Sequence, residues 1–174
     1  MGKIIGIFLT GLLLIFLGAS SGVHRTTSLA VLGEHAKTEA RVVRVIDGDT
    51  IQVFVKDAKE TVRLIGVDTP ETVDPRKPVQ CFGKQASDFT KSLLTGKTVY
   101  LESDATQGDT DKYQRLLRYV FLEDGTNVNR LLIKEGYAHE YTYKVPYTYQ
   151  TAFKDAEKSA RENNKGLWAM CYTQ

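Results

Sequence analysis

From Arg41 the chain alternates apolar and charged positions: Val42, Val43, Val45 and Ile46 are interleaved with Arg41, Arg44 and Asp47, and Ile51, Val53 and Val55 with polar residues. A period of two is the mark of half-buried strands, whose side chains point to opposite faces in turn. Asp47, Gly48 and Asp49 stand between the two runs, where Asp and Gly supply the local hydrogen bonds and the positive φ of a tight hairpin. A third strand is predicted at 61–66, ended by Pro70 just after Asp68 and Thr69, so three consecutive strands form a meander. At 82–94 the period changes: Phe82, Ala86, Phe89 and Leu93 recur at helical spacing, and Gly96 closes the helix. Two further strands are predicted at 98–102 and 117–122, joined by the polar stretch SDATQGDTDKYQR. A second helix is predicted near 128–135 before Gly136. A third runs from about Pro146 to Asn164, with Tyr149, Ala152, Phe153, Ala156 and Ala160 on one face.

Strands with one helix after the third and two at the end predict an α+β fold, a small β-barrel with helices packed on it. Among such architectures the five-stranded oligonucleotide-binding (OB) barrel with three packed helices fits the order. The folded domain is expected over residues 40–171. Residues 23–39, of mixed polarity and without a sustained period, read as a flexible lead-in.

The first segment has a different character. Lys3 is followed by the apolar run IIGIFLTGLLLIFL at 4–17 and then by Gly18, Ala19, Ser20, Ser21 and Gly22. A charged start, an apolar centre and a small-residue exit make a secretory signal peptide over 1–22, with cleavage after Ser20 or Gly22. The rival is an uncleaved membrane anchor, because extension through Val23 reaches the roughly 20 residues that a spanning helix needs. The shortness of the strongly apolar run favours cleavage. On either reading the domain is exported: secreted, or anchored with the folded part outside the cytoplasm. Export places Cys81 and Cys171 where thiols tend to be oxidised, so a Cys81–Cys171 disulfide is expected; two unpaired thiols are the alternative.

A hydrophobic share of 42% excludes disorder, and 23 Lys and Arg against 21 Asp and Glu nearly cancel. No blanket positive field is therefore available to bind nucleic acid, and an anionic substrate must be held by local groups. Candidate groups gather at strand ends: Asp47 and Asp49 leave the first strand, Asp68 and Glu71 leave the third, and Arg63 lies within the third. Carboxylates brought to one edge repel unless a cation sits between them. All-oxygen ligation without His or Cys suits Ca²⁺ or Mg²⁺ rather than zinc, and a loop-held, partly hydrated site leans towards Ca²⁺. Taken singly, each motif reads equally as a hairpin turn or a loop.

Taken together, VIDGDTIQV, RLIGVDTPE, DKYQR and YTYKVP resemble the staphylococcal nuclease (thermonuclease) family in motif, order and spacing. The resemblance covers about residues 40–171. It implies an OB barrel with three helices and Ca²⁺-dependent hydrolysis of phosphodiesters in DNA and RNA, leaving 3′-phosphate ends. It places Asp49, Asp68 and the Thr69 carbonyl on calcium, Glu71 as the residue that orients water or acts as general base, and Arg63 and Arg115 as a phosphate clamp. Lys112, Tyr113, Tyr141 and Tyr143 are implied to line the nucleotide pocket. Of the other tyrosines, Tyr149 reads as core, while Tyr137 and Tyr147 are unassigned.

The sequence departs from the family pattern at Gln114, where the family has glycine, and at Leu116 and Arg118, which replace smaller residues. Gln114 changes the turn that aims Arg115 if positive φ is required there. His24, His35 and His139 lie apart from the acidic cluster in sequence and receive no role. Trp168 reads as an anchor sealing the last helix to the barrel. The rival to a nuclease is a nucleic-acid-binding module of the same family with an impaired site. Against it stand Asp49, Arg63, Asp68, Glu71 and Arg115, all present where a decayed site has lost at least one. Nothing in the sequence demands more than a monomer.

Overall fold

The computed structural model describes Gly2 and residues 36–72 and 78–172. The predicted signal peptide or anchor and most of the lead-in lie outside the described residues. Among the described residues no helix is long and apolar enough to cross a membrane. In chain order the elements are β1 (Thr38–Asp47), β2 (Thr50–Val55), β3 (Ala58–Leu64), β4 (Val67–Asp68), α1 (Gly83–Leu94), β5 (Thr98–Glu102), β6 (Leu116–Phe121), α2 (Val128–Lys134), β7 (His139–Glu140), α3 (Gln150–Glu162) and α4 (Leu167–Met170).

Five strands close a barrel in the order β1-β2-β3-β6-β5. β1, β2 and β3 form the antiparallel meander, and β3 runs parallel to β6 with Val62 opposite Leu116 and Arg63 opposite Leu117. The alternation works as the sequence predicts: Ile51, Val53, Val62, Leu64, Val99, Leu101 and Val120 are buried. Leu94 of α1, Val128, Leu132 and Ile133 of α2, and Phe153 and Ala156 of α3 join the same core. The apolar stripes of the three helices thus cover the barrel, and burial of this kind contributes roughly 1.5–3 kcal/mol per large aliphatic side chain.

The structure differs from the sequence reading at several boundaries. β1 starts at Thr38, because Thr38 and Glu39 pair with Leu101 and Tyr100 of β5, so the ordered ladder begins inside the expected lead-in. β3 starts at Ala58, since the two-residue turn Lys56-Asp57 adopts positive φ and returns the chain at once. The third helix begins at Gln150 rather than Pro146, because Asp104 captures the Thr148 N–H at 2.7 Å and the Pro146 carbonyl accepts from Thr106 Oγ1 at 3.0 Å. The two-residue strands β4 and β7 form a separate ladder that no periodicity could announce. Trp168 lies in the short α4 and joins Ala160, Leu167, Phe82 and Cys171 in a satellite cluster. It therefore seals α3 against the start of α1 rather than against the barrel. Gly48 does not adopt positive φ. Its missing side chain serves close approach instead, for a Cβ there would meet Thr69 Cγ2 and Oγ1 at 2.8 Å.

Cys81 and Cys171 are joined by a disulfide with Cα atoms 6.0 Å apart, closing a sequence separation of 90 residues. A link of that span removes loop entropy from the unfolded chain. Replacing both cysteines by serine is expected to cost about 2–4 kcal/mol, read as a lower urea midpoint with a somewhat steeper slope as the released unfolded chain expands. A midpoint that stays where it was would show that the unfolded chain is already restrained there.

Candidate active site

The barrel brings three pieces of chain to one edge: the β1–β2 turn, the β3–β4 turn and the loop before β6. In β3, Val62 and Leu64 point inward, so Arg63 points out, opposite Thr50 of β2. The guanidinium is fixed by donation from Nη1 to the carbonyls of Val67 at 2.6 Å and Leu64 at 3.1 Å. Its Nη2 lies 3.2 Å from both Asp49 Oδ2 and Asp68 Oδ1. One guanidinium thus stands between two carboxylates that come from different turns. Gly66, at φ +74°, makes the fold-back possible, and a Cβ there would meet the Tyr147 ring at 2.6 Å.

Asp49 is buried, and its carboxylate ties the two turns together. It accepts from the backbone N–H and hydroxyl of Thr69, both at 3.1 Å, and from the Thr50 hydroxyl at 2.8 Å. Asp68 keeps 53% of its side chain open to solvent. Desolvation against the protein wall pushes its pKa up, with repulsion from Asp49 and Glu71 adding to this, while Arg63 pulls it down. Asp47 is also raised, again by burial first, with Asp49 and Glu71 adding repulsion. Asp47 accepts from Gly48 N–H at 2.8 Å and from Thr72 Oγ1 at 2.6 Å, so it braces the Glu71 segment. Glu71 itself exchanges backbone bonds with Gln80: its N–H donates to Gln80 Oε1 at 2.9 Å, and its carbonyl accepts from Gln80 N–H at 3.0 Å.

Arg115 reaches the same edge from the long loop. Asp111 holds it by accepting from Nε at 2.7 Å, from Nη2 at 2.6 Å and from the backbone N–H at 3.0 Å. For Asp111, burial alone would raise the pKa, but these bonds from Arg115 and one from the Tyr113 N–H outweigh it and hold the carboxylate below its ordinary range. Nη1 of Arg115 reaches Thr50 Oγ1 at 3.4 Å. Thr50 therefore has Asp49 on one side and Arg115 on the other. The turn does demand positive φ at Gln114, which sits at φ 62°. Arg115 is aimed despite the missing glycine, at the expense of strain that a side chain feels in this region. Gln114→Gly is expected to stabilise the domain by about 0.5–1 kcal/mol, seen as a higher melting temperature. A lower one would show that the Gln114 side chain makes a compensating contact.

Arg63, Asp68, Lys112, Tyr113, Arg115, Tyr141 and Tyr143 line one open cleft of about 500 Å³. The three tyrosines are exposed. Tyr141 and Tyr143 are stacked with ring centres 6.3 Å apart, and Lys112 lies 4.9 Å over the Tyr113 ring. Asp49, Thr69 and Glu71 are not among the lining residues; Asp49 is joined to the cleft by its ion pair with Arg63, and Thr69 by its bonds to Asp49. Tyr147 and Tyr137 pack instead: Tyr147 is buried, and Tyr137 stacks on Phe89 at 4.0 Å. Among the described residues no three His, Cys, Asp or Glu side chains are gathered as a metal-holding group. The arrangement is a pair of carboxylates bridged by a guanidinium.

Sequence reasoning missed Asp111, Thr50, Lys144 and Gln107. Asp111 stands inside the DKYQR motif and could have been read as the carboxylate that fixes Arg115. Lys144 and Gln107 line the cleft only through tertiary folding.

Comparison with known proteins agrees with this architecture. The model of the family described as staphylococcal nuclease homologue matches residues 61–170. The thermonuclease of Staphylococcus hyicus is 47% identical over 130 residues, 74% of this chain and 75% of that protein. The thermonuclease of Staphylococcus intermedius is 47% identical over 127 residues, 73% and 74% of the two chains. Endonuclease YncB of Bacillus subtilis is 40% identical over 142 residues, 78% of this chain and 66% of that protein. With the barrel order, the motif spacing and matches over most of the domain in agreement, the chain belongs to the staphylococcal nuclease family.

Proposed function

We propose that the chain is an exported nuclease that hydrolyses phosphodiester bonds of DNA and RNA, with Ca²⁺ as cofactor, and leaves 3′-phosphate ends. One observation carries the reading: guanidiniums from β3 and from the loop before β6, those of Arg63 and Arg115, line one open cleft, with two carboxylates on the first of them. The names of the relatives, thermonucleases and an endonuclease, support the same chemistry.

Attack of water on a phosphodiester gathers negative charge on the phosphate oxygens, and donors fixed beforehand bind that charge better than they bind the ground state. Arg63 and Arg115 are such donors. Their planar forks match two phosphate oxygens each, and Asp111 and the carbonyls of Leu64 and Val67 hold them in place. Tyr113, Tyr141 and Tyr143 offer exposed faces on which bases stack without sequence being read, and Lys112 adds charge for the backbone. This suits a substrate range with little sequence or sugar specificity.

Asp49, Asp68 and the Thr69 carbonyl are the groups that would hold the cation. They fit an oxygen-seeking ion, because the donor set is all oxygen and Asp49 and Asp68 come near enough to share one positive group, each lying 3.2 Å from Arg63 Nη2. When bound, such an ion supplies positive charge to a phosphate oxygen and acidity to a water molecule. Glu71 orients the attacking water and accepts its proton as the new P–O bond forms, while the bond from phosphorus to the 5′ oxygen breaks and that oxygen leaves as a hydroxyl with a proton from solvent. The site residues all come from one chain, so a monomer suffices. The apolar run at 4–17 and the disulfide support export, and a membrane is involved only if that run is retained.

Hydrolysis of single-stranded DNA and of RNA with Ca²⁺, with Mg²⁺ and with chelator tests the reading, together with phosphatase sensitivity of the new ends. Cleavage with Ca²⁺ that falls at least about a hundredfold in chelator is expected. Metal-independent cleavage would remove the cation from the proposal. Binding without cleavage under every condition would make the chain a binding module.

A further inference from the structure

The outer face of β2 and β3 continues away from Arg63. Register across the meander gives three successive outward rows: Thr50 with Arg63, then Arg44, Gln52 and Thr61, then Arg41, Phe54 and Lys59. Phe54, near the end of β2 between β1 and β3, is 48% exposed, and Val43, exposed at the β1 bulge, adds apolar surface beside it. The cations flanking Phe54 are Arg41 on one neighbouring strand and Lys59 on the other, and neither has an ion pair among the described residues. Arg44 donates from Nε to Gln52 Oε1 at 3.1 Å, a neutral partner that leaves its charge uncompensated. Glu60 stands opposite buried Val53 in the inward row, so the acids of this face are Glu39 and Asp57 at its margins.

An exposed aromatic ring between unpaired cations, in line with a phosphate-binding arginine, has the chemistry of a single-strand track: bases stack on the ring and phosphates follow the charges. From Thr50 to Phe54 the strand rises about 13 Å. That corresponds to roughly four stacked nucleotides, and to fewer if the strand is extended. We propose that Arg41, Arg44, Phe54 and Lys59 form a second subsite for the substrate strand, holding nucleotides beyond the cleft and raising the efficiency with which long chains are cut. This deepens the nuclease reading and rests on it.

The test compares a 12-nucleotide single-stranded DNA with a dinucleotide, for the wild-type chain and for Phe54→Ala, Phe54→Tyr and Arg41→Ala/Lys59→Ala. Phe54→Ala is expected to lower kcat/KM for the 12-mer roughly 5- to 100-fold, through KM, and to leave the dinucleotide unchanged. Phe54→Tyr keeps a stacking face and restores the wild-type value. The double variant reduces the slope of log affinity against log salt by about 1.4, as two phosphate contacts on a single strand require. Equal losses on both substrates, or no loss on the 12-mer, would overturn the subsite. Wild-type chain that cuts neither substrate would overturn the nuclease reading instead. Fluorescence anisotropy of a labelled 12-mer then decides the track: weaker binding by Phe54→Ala upholds it, and unchanged binding removes it.

Discussion

Arg63→Ala is expected to lower the rate of phosphodiester hydrolysis by about 10³-fold or more, chiefly in kcat, with the barrel still folded. Removing one fixed donor from a developing oxyanion costs about 10²–10³ in rate, and arginines on transferring phosphoryl groups reach 10³–10⁵. Arg63 belongs to the strong end of that range because it is placed before substrate arrives: two carbonyls and two carboxylates surround it, and 15% of its side chain remains exposed. The same bonds predict a structural effect. Without the guanidinium, the Val67 carbonyl loses its donor at 2.6 Å, and buried Asp49 loses its countercharge. Some stability is therefore lost as well, and breaking a buried pair by removing one partner is the costly way to break it. Arg63→Lys separates the two effects. Lysine keeps a positive charge beside Asp49 and Asp68 but lacks the fork, so it is expected to recover stability and little of the rate. Initial rates on single-stranded DNA beside thermal melts read both quantities. A folded Arg63→Ala protein within tenfold of wild type would take Arg63 out of the clamp.

The parts of the fold that were legible in advance are those where a period meets a buried face. Val42 and Val45, Ile51 and Val53, and Ala86 with the half-buried Phe89 and Leu93 declare their faces by spacing, because a strand or helix that buries one side must repeat its apolar positions, although at the end of α1 it is Leu94 that is fully buried. Features made by two distant residues left no such trace. The start of α3 was misplaced because Pro146 is a good first-turn residue, and only the tertiary bond from the Thr148 N–H to Asp104 shows why the helix waits until Gln150. Gly48 was read as a positive-φ glycine when its role is to let Thr69 approach, a contact across 21 residues of chain. At the site, acid and arginine positions could be named from motifs, but their division of labour could not. That Arg63 bridges Asp49 and Asp68, and that Asp111 fixes Arg115, depends on the register of Thr50 against Arg63 and on the turn at Gln114. The outward row Arg41, Phe54 and Lys59 was invisible for the same reason, since its members lie on three strands.

Glu71→Gln is expected to reduce hydrolysis by about 10²–10⁴-fold, the usual range for loss of a positioned proton acceptor. Glutamine keeps the shape and the hydrogen-bonding reach but not the basicity, so binding of substrate should change little and kcat should carry the loss. The backbone on both sides of Glu71 is held in place. Gln80 bonds both its N–H and its carbonyl, and Thr72 bonds Asp47. Gly83 approaches so closely that a Cβ there would meet Thr72 Cγ2 at 2.8 Å and the Glu71 carbonyl at 3.1 Å. Such backbone anchoring suits a side chain that must present one carboxylate in one place. The charge of Glu71 is also felt by its neighbours, since it helps to raise both Asp47 and Asp68. An aspartate whose folded pKa is raised favours the native state below its ordinary pKa of about 3.9 and loses that contribution as pH rises through the folded value. At neutral pH these carboxylates therefore work against folding. Glu71→Gln removes that part of the repulsion. In an NMR titration of the metal-free protein, Asp68 should move down towards the ordinary carboxylate range. A variant that keeps its rate and leaves Asp68 unmoved would show that Glu71 faces away from the acidic edge and that another group accepts the proton.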